Sequence, residues 1–114
     1  VICGYSNESF LRNSKNSKNI INILNYDKKN ILDLQLAFLE LAKVAVHGRS
    51  GSCYLSMLSK CPTFMAGPEH DRKVITIEDN VLNSNIRYFT DYGVNPSPEI
   101  FFSEFNKYYS ELYG

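Results

Sequence analysis

One polar turn in this chain has the residue types that bind a phosphate group. The turn contains Arg49, Ser50, Gly51 and Ser52, between an apolar strand-like run and a segment with helical character. Free N–H groups and the dipole at a helix start favour a phosphate. Glycine lets the backbone approach the phosphate closely, and a guanidinium can donate two parallel hydrogen bonds to it. The turn therefore predicts a site for a small anionic ligand, with a nucleotide as the leading candidate.

A second polar loop, Gly67-Pro68-Glu69, follows the next apolar run, Thr63–Ala66. If both apolar runs are strands of one parallel sheet, both loops open at its carboxyl edge, where ligands bind. The carboxylate of Glu69 can accept hydrogen bonds from ribose hydroxyls. The residues predicted to bind the ligand are His47, Arg49, Ser50, Gly51, Ser52, Gly67, Pro68 and Glu69.

Each of these residues also has a purely structural interpretation, and the sequence leaves both open. Ser50-Gly51-Ser52 could be a tight turn with a helix cap, because serine is a preferred N-cap residue. Arg49 could be a solvated loop arginine, and Glu69 a carboxylate on a surface turn. For His47, a hydrogen-bonded structural role is favoured over catalysis. Spacing alone assigns no catalytic residue.

Composition narrows the class of protein. The chain has 114 residues, 12 basic and 12 acidic side chains, a net charge of zero and a hydrophobic fraction of 44%. This is the size of one small domain with one core. Without a basic excess, neither nucleic acid nor an anionic membrane surface is an expected partner. No apolar run approaches the roughly 20 residues of a membrane span.

The cysteines indicate a reducing environment. There are three, Cys3, Cys53 and Cys61, widely spaced and in apolar surroundings. An odd number at such spacing is neither a disulfide framework nor a zinc-binding pattern, and free cysteine often behaves as a small core hydrophobe. We therefore expect a cytoplasmic protein. We expect no metal, since the chain has no Asp-x-Asp, and no cofactor.

Strand-like and helical segments alternate along the chain, which favours right-handed crossovers and a parallel sheet. The fold class predicted is α/β, a doubly wound, Rossmann-like sheet in one small domain, residues 1–114. The strands expected to be neighbours are Val1–Tyr5, Ile20–Leu24, Val44–Val46 and Thr63–Ala66, with Val74–Ile77 and Ile86–Phe89 as further extended pieces. The helices expected are Ile31–Lys43, Ser52–Ser59 and a last one that begins after Ser97 with Pro98.

The order of these segments resembles the C-terminal, donor-binding half of glycosyltransferases with the GT-B fold, which have two Rossmann-like domains. Heptosyltransferase-like enzymes and related surface-polysaccharide transferases are the most similar in pattern. The resemblance covers about residues 1 to 70 and rests on order and spacing. Its motifs are Ser50-Gly51 after an apolar strand, Pro62-Thr63-Phe64, the Gly67-Pro68-Glu69 loop, and a helix with Leu34, Gln35, Leu39 and Ala42.

The resemblance implies that Ser50, Gly51 and Ser52 hold the diphosphate of a nucleoside-diphosphate sugar, with Gly67-Pro68-Glu69 near its nucleoside or sugar. The sugar would be transferred to a glycan or lipid-linked acceptor. The acceptor-binding domain would precede this chain, so the isolated chain should be inactive. The opening residues Val1-Ile2-Cys3 also suggest a piece of a longer protein.

This chain departs from the heptosyltransferase pattern where His47-Gly48-Arg49 stands in place of the usual Asp before the glycine turn. The donor is therefore not identified by the resemblance. Two alternatives remain at this point. One is a non-catalytic, flavodoxin-like binding or regulatory domain, and the other is a sugar-nucleotide epimerase.

Overall fold

The computed structural model of this protein describes residues 15–24, 29–49, 51–82, 84–90 and 97–114. The chain divides into two compact units, Val1–Leu41 and Ala42–Gly114. The predicted strand Val1–Tyr5 and the site residue Ser50 lie outside the described residues. The one-domain organisation predicted for residues 1–114 stays a prediction.

The first unit contains helix α1, Ile31–Leu41, which confirms the predicted helix and ends two residues earlier. Ile20–Leu24 was expected to be a strand, and this is wrong, because only Asn22 has a strand-type bridge. Asparagine side chains accept hydrogen bonds from the backbone amides of this segment. Asn22 N donates to Asn16 Oδ1 at 2.7 Å, and Leu24 N donates to Asn22 Oδ1 at 3.0 Å. Such local bonds compete with pairing between strands.

The second unit contains a parallel sheet of three strands in the order β1-β2-β3. Three of the predicted extended runs are confirmed as its strands, which establishes an α/β fold with an open parallel sheet. None of the described helices is long and apolar enough to cross a membrane. The elements are β1 Ala45–Gly48, α2 Cys53–Leu58, β2 Thr63–Ala66, a 3-10 turn Glu69–Asp71, α3 Arg72–Leu82, β3 Ile86–Phe89 and α4 Pro98–Tyr113.

The predicted extended piece Val74–Ile77 is wrong, because these residues lie inside helix α3. Their β-branched side chains favour a strand when read alone. However, β2 and β3 are parallel, and parallel neighbours need a crossover connection between them. The helix buries Ile75 against Cys53 and Met65. The tertiary contact and the crossover therefore override the local preference.

Side chains from successive residues of β2 point to opposite faces of the sheet. Met65 packs with Cys53 and Ile75 on the face of α2 and α3. Phe64 points the other way, towards α4. Its ring centroid lies 5.1 Å from Phe101, 5.7 Å from Phe105 and 6.0 Å from Tyr108. Helices thus cover both faces of the described sheet. A doubly wound sheet would also need a reversal of strand order, and that part stays a prediction.

The last helix begins as the sequence predicts. The Ser97 side chain accepts a hydrogen bond from Ile100 N at 3.3 Å, and Pro98 occupies the first turn. Further along, Tyr108 is 2% exposed and donates to the Asn85 carbonyl at 3.0 Å. Burial raises the pKa of Tyr108 to about 12. This tyrosine therefore packs the helix onto the sheet.

The residue that terminates helix α2 has a left-handed backbone conformation, although it is not glycine. Lys60 has a φ of 57°. Its amide donates to the Met57 carbonyl at 3.1 Å, and the Cys61 amide donates to the Ser56 carbonyl at 3.0 Å. This pair of bonds defines a Schellman motif, in which glycine is the usual residue at the position of Lys60.

We expect Lys60→Gly to raise the free energy of unfolding by up to about 1 kcal/mol. Glycine adopts this φ without the clash of a Cβ atom, and the gain is offset in part by its greater freedom in the unfolded chain. Urea unfolding of the full chain measures the change. Lys60→Ala is the matched control, since it removes the lysine side chain and keeps the Cβ atom. Equal stability of the two variants would contradict the prediction.

The two described cysteines, Cys53 and Cys61, are buried and free. Cys61 Sγ lies 3.6 Å from the Pro62 carbonyl oxygen and 3.8 Å from that of Ala42. Burial raises the pKa of the Cys61 thiol. The prediction that these cysteines act as small core residues is confirmed for both, while Cys3 lies outside the described residues.

Candidate functional site

The two polar loops begin side by side at the carboxyl edge of the sheet. Gly48 ends β1, Ala66 ends β2, and the two residues are paired in the parallel register. The chain then continues from Gly48 into Arg49 and from Ala66 into Gly67. The structure therefore brings together the start of the predicted turn and the start of the predicted Gly-Pro-Glu loop.

Gly67 lies where a side chain has no room. A Cβ atom on Gly67 would be 2.8 Å from Arg49 Cβ and would overlap the Tyr88 hydroxyl oxygen. That hydroxyl donates to the Pro68 carbonyl at 2.7 Å, so it is held in place. Burial raises the pKa of Tyr88, and the nearby Asp71 carboxylate adds to this. Gly67 thus links the two loops with β3 by close packing.

Arg49 is held on three sides. Its Nε lies 3.5 Å from Asp71 Oδ2, its Nη1 lies 3.9 Å from Cys53 Sγ, and its guanidinium carbon lies 5.7 Å from the Tyr54 ring centroid. Burial by itself would lower the pKa of the guanidinium, but Tyr54, Cys53 and Asp71 raise the pKa above its ordinary value. The side chain is 22% exposed. Arg49 is therefore a fixed positive charge with one open side.

Asp71 is the functional candidate that the sequence did not single out. His70, Asp71 and Arg72 form a charged run that is typical of a solvated loop. In the structure only Asp71 turns to Arg49, while His70 Nε2 lies 3.6 Å from Asp71 Oδ1 and is exposed. The pairing depends on the register of β1 and β2, which no local pattern contains.

The Glu69 carboxylate forms an ion pair close to its own turn. The Arg72 Nε lies 3.1 Å from Glu69 Oε1, which is the spacing of an ion pair between residues three apart. Such exposed pairs contribute little to stability. Since the Glu69 side chain is 54% exposed, it keeps surface for a ligand. Both interpretations of this carboxylate fit the geometry.

His47 contacts a helix rather than the edge of the sheet. Its Nε2 lies 2.7 Å from Ser56 Oγ, and Ser56 Oγ donates to the Cys53 carbonyl at 3.1 Å. The Ser56 hydroxyl donates its proton to the Cys53 carbonyl. His47 Nε2 is therefore the protonated nitrogen of the ring and donates to Ser56 Oγ. Burial lowers the pKa of His47, and Ser56 is fully buried. Ser56 is therefore not accessible to a substrate, and its hydrogen bond with His47 supports the structural interpretation of this histidine.

The start of α2 offers less to a phosphate than the sequence suggests. The helix has six residues. Its Tyr54 and Leu55 amides already donate to the carbonyls of Gly51 and Ser52, at 3.2 and 3.1 Å. A Cβ atom on Gly51 would meet nothing within 4 Å, so packing does not require glycine there. Gly51 has space beside it for a ligand, but Arg49 must supply most of the attraction.

Other features of the described residues do not join this site. No group of three or more His, Cys, Asp or Glu side chains among the described residues could hold a metal ion. A surface depression follows one side of α4, and no residue of the polar loops lines it. It is lined by Glu99, Phe102, Ser103, Asn106, Lys107 and Ser110, all from that one helix.

Comparisons of the chain with protein-family models, with curated proteins and with solved structures find no match. The resemblance to GT-B glycosyltransferases therefore rests on the order and spacing of the motifs within this sequence. The arrangement of the described residues adds an α/β fold and two adjacent loops at the carboxyl edge of a parallel sheet.

Proposed function

We propose that this chain is the donor-binding part of a glycosyltransferase. The Ala42–Gly114 unit would hold the diphosphate of a nucleoside-diphosphate sugar between its two polar loops. The observation that carries this proposal is the position of Arg49 at the carboxyl edge of a parallel sheet. Its guanidinium is partly open, and its Cβ atom lies against Gly67 of the second loop. Ligands of open parallel sheets bind at this edge.

The chemistry proposed for these residues is stabilisation of a leaving group. When a sugar leaves its nucleoside diphosphate, negative charge develops on the phosphate oxygens, and a fixed cation nearby lowers the barrier. Arg49 is placed to do this. Gly51 would let the phosphate approach the backbone, and Gly67-Pro68-Glu69 would face the nucleoside or sugar.

In this proposal, residues outside the Ala42–Gly114 unit bind the acceptor and supply the general base. The acceptor, a glycan or a lipid-linked sugar, would bind to a separate N-terminal domain, which would also supply the general base. The reaction would take place in the cytoplasm, where nucleoside-diphosphate sugars would be available to it. In this proposal the isolated chain binds the donor and does not turn it over.

We expect Gly51→Val to weaken binding of a nucleoside diphosphate at least tenfold. A branched side chain would block the approach of the phosphate to the backbone. Packing does not oppose the change at the Cβ position, because a Cβ atom there meets nothing within 4 Å. Titration calorimetry of the full chain against uridine, adenosine, guanosine and cytidine diphosphates measures the change.

Leu58→Val is the matched control for Gly51→Val. It places the same residue type at the far, exposed end of α2, and it should leave the affinity unchanged. Thermal unfolding checks that both variants are folded. If the wild-type chain binds none of the four diphosphates, the donor-binding proposal is wrong. The non-catalytic, flavodoxin-like domain then becomes the better interpretation.

A further inference from the structure

The candidate anion site contains a carboxylate that opposes its proposed ligand. Asp71 Oδ2 lies 3.5 Å from Arg49 Nε, so the guanidinium already has an anionic neighbour. A phosphate bound to Arg49 would have to displace that carboxylate or lie close to it. Like charges at such distances repel each other.

We propose that Asp71 sets the anion affinity of this site by competing with the ligand for the guanidinium of Arg49. This inference rests on the proposed function, since it takes the ligand to be a phosphate at the same loops. In the absence of ligand, Asp71 balances the charge of Arg49 and holds it in place. When a phosphate binds, Arg49 exchanges one anionic partner for another.

The geometry of the pair fits a partner that can be displaced. Although Arg49 Nε is within ion-pair distance of Asp71, it makes no hydrogen bond of good geometry to any described residue. The two side chains are 22% and 26% exposed. Water therefore still reaches both side chains and screens part of their attraction. A phosphate can instead accept two parallel hydrogen bonds from the guanidinium.

The neighbours of Asp71 hold the loop in place when the carboxylate is released. The hydroxyl of Tyr88 donates to the Pro68 carbonyl at 2.7 Å, three residues before Asp71. Arg72 is engaged by Glu69 at 3.1 Å, so it is not a second partner for Asp71. His70 Nε2 also lies 3.6 Å from Asp71 Oδ1, but its side chain is 80% exposed, so this contact holds the carboxylate weakly. The competition is therefore confined to Arg49 and Asp71.

The test is a titration of the full chain with inorganic pyrophosphate and with uridine diphosphate at low ionic strength. Asp71→Asn should tighten pyrophosphate binding about fivefold, because it removes both the competitor and a like charge. In an Arg49→Ala background the same change should have an effect below about twofold, and the double-mutant cycle gives the coupling. Glu104→Gln is the matched control. It removes a similarly exposed acid that pairs with Lys107 on α4.

Each outcome separates this inference from the proposed function. Unchanged or weaker pyrophosphate binding by Asp71→Asn, with a wild-type chain that binds uridine diphosphate, overturns the inference and leaves donor binding standing. Tighter pyrophosphate binding by the variant, with no binding of any nucleoside diphosphate, supports the inference and contradicts the proposed function. No binding of either ligand to wild type or variant overturns both. Thermal unfolding checks the fold, and Asp71→Ser serves as a second variant if Asp71→Asn does not fold.

Discussion

Replacing Phe64 with alanine is expected to lower the free energy of unfolding of this protein by about 3–5 kcal/mol. Phe64 is fully buried in β2. Its ring lies 6.4 Å from that of Phe89, and three aromatic rings of α4 surround it within 6.0 Å. Removing the ring leaves a cavity between the sheet and the helix that these rigid neighbours cannot fill. Urea unfolding of the full chain, followed by circular dichroism, measures the loss.

Phe102→Ala makes the same chemical change on the outer side of α4 and serves as the control. Phe102 is 63% exposed. Substitutions at exposed positions without specific contacts usually change stability by no more than about 0.5 kcal/mol. If the two alanine variants lose equal stability, the contact between Phe64 and α4 is not the core of this unit.

Gly67→Ala is expected to lower the free energy of unfolding by about 1–3 kcal/mol, the usual cost of overpacking. The new methyl group would lie 2.8 Å from Arg49 Cβ and would overlap the Tyr88 hydroxyl oxygen. Because that hydroxyl donates to the Pro68 carbonyl, Tyr88 cannot move away without losing its hydrogen bond. Thermal and urea unfolding of the full chain measure the loss.

Gly51→Ala is the matched control for this prediction. A Cβ atom on Gly51 meets nothing within 4 Å, so the change should be neutral or slightly stabilising. Tyr88→Phe gives a second check, since removal of its hydroxyl makes room for part of the new methyl group. The double variant Gly67→Ala/Tyr88→Phe should therefore recover some of the lost stability. Equal losses for Gly67→Ala and Gly51→Ala would show that Gly67 is not closely packed.

The two glycines of the candidate site thus have different roles. Packing requires glycine at position 67, because Arg49 and Tyr88 leave no room for a Cβ atom. Substitution of Gly67 therefore tests the fold. Gly51 is not required by packing, so its substitution tests the ligand. A loss of binding at Gly51 can therefore be attributed to the site itself, and the same loss at Gly67 cannot.

The sequence by itself determined the elements whose signals are local. The Ser97-Pro98 start of α4 is predicted correctly because its signal lies within four residues. The Ser97 side chain caps the amide of Ile100, and Pro98 lies in the first turn. The helix at Ile31–Leu41 and the strand at Thr63–Ala66 are read correctly from periodicity and from a short apolar run. The position of both polar loops at one sheet edge followed from the rule for parallel strands.

Only the tertiary structure decided the remaining features. The β-branched run Val74–Ile77 has the same local preference as a strand, and its helix follows from the crossover between two parallel neighbours. Asp71 pairs with Arg49, and the Tyr88 hydroxyl packs against Gly67. The partners in each contact are about 20 residues apart in the sequence. These contacts depend on strand register and on the path of each connection. Both are set by the packing of the whole sheet, so no spacing within the sequence encodes them.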